Sequence, residues 1–190
     1  MAHLSPLEYS DINDQEILES IQNYEKARGF VPNSIRTMAR RPSIVKAFMA
    51  LNQSILYDGS VSKDLKMLIS LASSLAAGCM YCQSHMANLS SIYNVPDEKI
   101  ANILDFENSL QFTAAEQADF SLLKKHFSEG QIVEIIATIS LFVYLNRWND
   151  TVVTQVEMLP CSVAKRTLPN WEKGKHQYRL KSLEFIVCQL

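Results

Sequence analysis

The stretch "LASSLAAGCMYCQSHMANL", residues 71–89, decides how the rest of the chain is read. Ahead of Gly78, the residues Leu65, Leu68, Ile69, Ala72 and Leu75 recur at helical spacing, which predicts one amphipathic helix opening after Ser62. Gly78 predicts its end, because glycine tolerates the left-handed backbone that closes a helix. Cys79 then falls at or just before the start of a second helix, predicted to run to about Tyr93. On that helix Cys79, Cys82 and His85 lie one turn apart from each other and share one face.

Working outward, the same punctuation recurs. Asp11 or Asn13 can cap a first helix running toward Arg28, which Gly29 and Pro32 end. A short helix to about Arg40 follows, then one from near Ser43 with Ile44, Phe48, Leu51 and Ile55 on one side, closed at Gly59. Beyond the paired cysteines, "NVPDEKI" begins another helix. Thr113, with Glu116 placed for a capping box, opens the next. Gly130 separates that one from a long helix, 131 to about 157. No segment alternates apolar and polar residues between turn signals, so the expected class is all-α in one domain.

Composition narrows the function. Eighteen Lys and Arg against 20 Asp and Glu give a net charge of −2 over 190 residues, which offers no general attraction for nucleic acid. Residues 161–190 carry six bases (Lys165, Arg166, Lys173, Lys175, Arg179, Lys181) against Glu172 and Glu184, a local +4 that leaves −6 on residues 1–160. This tail is read as solvated, or as docking on the acidic body or on a neighbouring subunit. The N-terminus shows no basic stretch followed by an apolar run, so the expected location is cytoplasmic. The apolar stretch "IIATISLFVYL" (135–145) suits a buried helix better than a membrane span.

In a reducing compartment a close cysteine pair points to catalysis or metal binding rather than to a structural disulfide. A thiol at a helix N-terminus feels the positive end of the helix dipole, so Cys79 is expected to be the more easily ionised. Cys82 lies one turn deeper, with His85 in reach to take its proton. A Cys-x-x-Cys pair can close to a disulfide, so a sulfenic acid on one sulfur can be resolved by the other. Zinc is the competing reading, but Cys161, Cys188, His3, His126 and His176 form no second paired motif to complete four ligands. A third reading makes His85 a satisfied core histidine and the cysteines small apolar fillers.

Three segments together resemble the carboxymuconolactone decarboxylase superfamily in its alkylhydroperoxidase D-like branch. They are "GFVPNSIRTMARRPSIVKAF" (29–48), the cysteine stretch with "VPDEKIANILDFE" (95–107), and "FSEGQIVEIIATISLFVYLNRWND" (127–150). "NWEKGKH" (170–176) resembles the usual end of such chains, giving a domain over 1–176 and an extension over 177–190. The resemblance implies a helical homo-oligomer, without cofactor or metal, that reduces organic hydroperoxides and is recharged by a protein or dithiol electron donor. No nucleic acid or membrane partner is implied. Carried over, Cys82 is the thiol that attacks peroxide, Cys79 the resolving thiol and His85 the proton relay; Tyr81 stands where a hydrogen-bonding group often sits.

Two departures bear on mechanism. "CQSH" leaves two residues between the second cysteine and the histidine where the best-known members have three. The glutamate those members carry twelve residues before the first cysteine is Met67 here, and a thioether takes no proton at neutral pH. Tyr81, Asp64, Glu134, Asp150 or water are the substitutes considered. Ser74 is a further hydrogen-bonding residue near the pair. In "LNRWND", Asn146 can cap or orient a neighbour, Arg147 and Asp150 can pair, Trp148 can serve the core or an oligomer contact, and the cluster can form a pocket wall.

Overall fold

The computed structural model describes residues 2–105 and 123–172. Among them the helices are α1 (Gln15–Arg28), α2 (Asn33–Met38), α3 (Pro42–Asn52), α4 (Lys63–Ala77), α5 (Met80–Ile92), α6 (Asp97–Ala101), α7 (Leu123–His126), α8 (Glu129–Val152) and α9 (Met158–Thr167), with no strand. The all-α reading holds. The helix expected from Thr113 lies mostly outside the described residues, as does the extension 177–190.

Local chemistry explains most of the boundaries. Asp14, rather than Asp11 or Asn13, caps α1 by accepting the Ile17 N–H at 3.2 Å, and Gly29 ends the helix at φ 74°. Between α4 and α5 the chain turns through Gly78 at φ 72°, where a side chain would be strained. Gly130 does not separate two elements. Ser128 accepts the Gln131 N–H while the Gln131 side chain accepts the Ser128 N–H, so α8 starts at Glu129 and Gly130 sits within its first turn. At the other end α8 stops at Val152 instead of about 157, because Val153 turns left-handed at φ 54°. That conformation is costly for a β-branched residue. It reverses the chain and leaves room for α9, which the sequence reading did not anticipate.

The architecture is a layer of helices around one central helix. Every residue from Met80 to Ser90 is buried, because α5 is packed by α4, α8 and α9. A helix apolar on one face alone could not be enclosed in this way, and α5 instead carries small polar residues that bond locally, such as Ser84 to the Tyr81 carbonyl at 2.7 Å. Trp171 closes over the start of α5, its indole N–H donating to the Met80 carbonyl at 3.4 Å. No helix among the described residues is long and apolar enough to cross a membrane.

Candidate active site

Cys79 is the residue that caps α5, its Sγ accepting the Cys82 N–H at 3.5 Å. Both thiols are free and buried. Burial, reinforced by Cys82 and by the charge of Asp150, pushes the Cys79 thiol well above its usual pKa. This direction runs against the easing of ionisation expected from the helix terminus: an effect of about 0.3–1 kcal/mol is smaller than the cost of desolvating a thiolate.

Cys82 sits one turn further into the core. Its Sγ accepts a hydrogen bond from Asn149 Nδ2 at 3.3 Å, and the same amide donates to the Leu145 carbonyl at 2.9 Å, which fixes its orientation. Asn149 is buried and belongs to α8. Its neighbour Asn146, the residue singled out in the sequence, instead donates to the Ser73 carbonyl at 3.3 Å. Asp150 reaches the site through its charge on Cys79.

His85 Nε2 lies 2.7 Å from Glu157 Oε2. The ring stacks on Tyr81, centroids 4.2 Å apart at 26°, and meets the Phe30 ring edge-on at 5.4 Å. Tyr81 donates its phenolic hydrogen to Glu157 Oε1 at 3.1 Å and accepts the Ser34 N–H at 3.2 Å. The Asn33 N–H also donates to Glu157 Oε1. Burial opposes the charge on Glu157, but His85 and these donors outweigh it and hold the carboxyl below the usual carboxylate value. Burial and the facing Glu157 charge push Tyr81 the other way, so it stays a neutral phenol.

Glu157 is the functional candidate the sequence reading missed. It precedes α9 as the capping residue, yet its side chain makes no cap and turns inward to His85 instead. The one signal was "EMLP", an acidic residue just ahead of a first helical turn bearing Pro160. The substitutes named from sequence divide. Tyr81 joins the cluster, whereas Asp64 is exposed and Met67 is a core residue with no exposure. Glu134 bonds Lys66 at 2.8 Å and the Ser60 and Val61 N–H groups, tying the loop before α4 to α8. Ser74 turns its hydroxyl to the Ser70 carbonyl at 2.7 Å and leaves only its own carbonyl, bound by Gln83, near α5.

Cys82, His85 and Asn149 open on a cavity of about 50 Å³ whose wall includes the rings of Tyr24, Phe48, Tyr81 and Phe142. Among the described residues no group of three His, Cys, Asp or Glu side chains is arranged to hold a metal ion. A thiol held by an amide donor, a second thiol one turn away and a histidine backed by a carboxylate can together ionise a sulfur, deliver a proton and close a disulfide.

Fold and site thus define an all-helical protein built around a buried Cys-x-x-Cys pair with a histidine–carboxylate partner. The sequence model of the carboxymuconolactone decarboxylase family matches residues 42–125. The debrominase Bmp8 in its apo form is 30% identical with a TM-score of 0.77, covering 86% of this chain and 97% of that one. A cysteine-to-alanine variant of Bmp8 in complex with 2,3,4-tribromopyrrole is 29% identical at TM-score 0.78, with 86% and 96% covered. An uncharacterized peroxidase-related protein with an alkylhydroperoxidase AhpD core, from Ralstonia eutropha JMP134, shares the fold at TM-score 0.71 and 19% identity, with 81% and 93% covered. No curated protein sequence matches the chain. The chain belongs to the carboxymuconolactone decarboxylase family and has the AhpD-like fold.

Proposed function

We propose that this protein is a dithiol oxidoreductase that reduces a small organic hydroperoxide, with Cys82 as the attacking thiol, Cys79 as the resolving thiol and His85 as the proton relay. The observation that carries this reading is the single cluster in which Asn149 holds the Cys82 sulfur and Glu157 holds His85 beside one cavity. The Cys82 thiolate attacks the terminal peroxide oxygen, the O–O bond breaks, and the leaving alkoxide takes a proton through His85. Nδ1 is the ring nitrogen left for that transfer once Nε2 is engaged by Glu157. Cys79 then attacks the sulfenic acid on Cys82, releasing water and forming the disulfide. A thiol held protonated until this second step avoids two anions in one buried site. An external protein or small dithiol restores the pair by exchange.

A second reading, reductive dehalogenation, is favoured by the aromatic cavity wall together with the similarity to a debrominase whose cysteine variant holds a brominated pyrrole. Here the Cys82 thiolate takes the bromine, the ring carbon keeps the bond electrons and gains a proton through His85, and Cys79 displaces bromide as the disulfide forms.

The test starts from reduced protein freed of metal and excess reductant. One equivalent of cumene hydroperoxide is expected to consume two thiols per chain in the native protein and none at Cys82→Ser. Full consumption in Cys82→Ser would overturn the assignment. Bromide release from 2,3,4-tribromopyrrole, with no thiol loss to the peroxide, would replace the first reading by the second.

A further inference from the structure

We propose that the protein binds the acidic end of an organic substrate in a chamber of about 450 Å³ beside the thiol cavity, with Arg28 as the anion-recognising group. The chamber lies between α1, the turn that follows α3 and the end of α5, and is lined by Tyr24, Arg28, Gln53, Tyr57, Leu89 and Tyr93, among others. Its volume falls in the range of ordinary ligand pockets, about 300–1,000 Å³. Tyr24 lines both this chamber and the thiol cavity, so the two adjoin at its ring.

Three observations give the ligand its chemistry. Among the described lining residues Arg28 is the one charged side chain, and none is Asp, Glu or Lys. Its guanidinium lies over the Tyr24 ring at 4.6 Å and near the Tyr57 ring at 5.5 Å, and donates to the Tyr57 hydroxyl. No carboxylate among the described residues pairs with it, so within them the held cation faces the chamber without an acidic partner. Gln53 and Tyr57 reach the chamber from a π-helical turn over Gln53–Tyr57, closed by the Asp58 N–H donating to the Gln53 carbonyl at 3.1 Å. Such turns interrupt regular helices at a cost and recur at functional sites. The remaining wall, with Met49, Leu89, Ile92 and the tyrosine rings, suits one aromatic ring or a short apolar chain. The ligand class is therefore a small monoanion, a carboxylate or phenolate with an apolar body, whose far end passes Tyr24 toward Cys82.

This inference rests on the redox reading only for what the bound acid is presented to; the binding itself does not need the thiols. Isothermal titration of the Cys82→Ser protein with benzoate is expected to show saturable binding, about tenfold tighter than that of uncharged benzamide. Arg28→Met is expected to erase that difference. Equal affinity for the two ligands, or no saturable benzoate binding up to about 20 mM, overturns the site, and this ligand-side comparison needs no variant at Arg28. In turnover, KM for a carboxylated cumene hydroperoxide is expected to fall below that for cumene hydroperoxide, a preference that Arg28→Met collapses. Benzoate binding without reaction of either peroxide sinks the hydroperoxide reading and leaves the acid site standing. Reaction with both peroxides at equal KM does the reverse.

Discussion

Two residues outside the cysteine motif touch its polar groups, Asn149 at Cys82 and Glu157 at His85. Asn149 donates to the Cys82 sulfur from an amide that the Leu145 carbonyl holds in place. Asn149→Leu keeps the volume and removes the donor. Iodoacetamide alkylation of Cys82 near neutral pH is expected to slow by about tenfold, as followed by mass spectrometry on the Cys79→Ser background. Glu157 acts one step further back, holding His85 Nε2 at 2.7 Å. Glu157→Gln preserves the shape and loses the charge, and thiol consumption by cumene hydroperoxide is expected to fall by about 100-fold with the fold intact by circular dichroism. Tyr81→Phe is expected to cost less, since the Asn33 N–H still holds Glu157 Oε1. The cysteines and His85 were legible in sequence because a helix places residues one turn apart on one face. Glu157 was not, because only the fold brings a residue 72 positions further along the chain to His85 on α5.

Among the helices, α8 does two unlike jobs. Its C-terminal half supplies Asn149, while its N-terminal half carries Glu134, which anchors Lys66 and the loop ahead of α4. Lys66 has no exposure, and its Nζ donates to the Asp58 carbonyl at 2.6 Å as well as facing Glu134. Removing the anion alone leaves a buried cation uncompensated, so Glu134→Ala is expected to lose about 3–5 kcal/mol in urea unfolding. Lys66→Met, an apolar chain of similar length, is expected to cost much less. Equal losses in the two variants would show that the pair is not the source of the effect. The start of α8 was misread from Gly130 because the reciprocal Ser128–Gln131 cap overrides one glycine's weak helix propensity. Its end was misread because apolar periodicity does not register a single residue turning left-handed.

At the scale of the whole molecule, acid acts on the fold through two carboxyl contacts, those of Glu134 and Glu157. Burial alone would raise Glu134, but Lys66 and the Ser60 and Val61 N–H groups hold it down to about 2. Glu157 is likewise held below its usual value. A carboxyl whose folded pKa is depressed contributes stability that is complete above the unfolded value, about 4.3, and is lost as pH falls through the folded one. The urea midpoint is therefore expected to stay level from about pH 7 to 5 and to drop below about 4.5, less steeply in Glu134→Gln. A midpoint unchanged to about pH 3 would contradict this. Val133, Ile136 and Val143 lie 65%, 43% and 63% exposed along one side of α8. What the sequence by itself determined was local: helices from 3.6-residue periodicity, the ends at Gly29 and Gly78, and a dithiol with a histidine on one helical face. Tertiary structure decided what depends on packing: that burial raises the Cys79 thiol, that Glu157 is the carboxylate beside His85, and that Asn149 rather than Asn146 meets the sulfur. Desolvation and long-range hydrogen bonds are set by neighbours distant along the chain, and no spacing within a single helix encodes them.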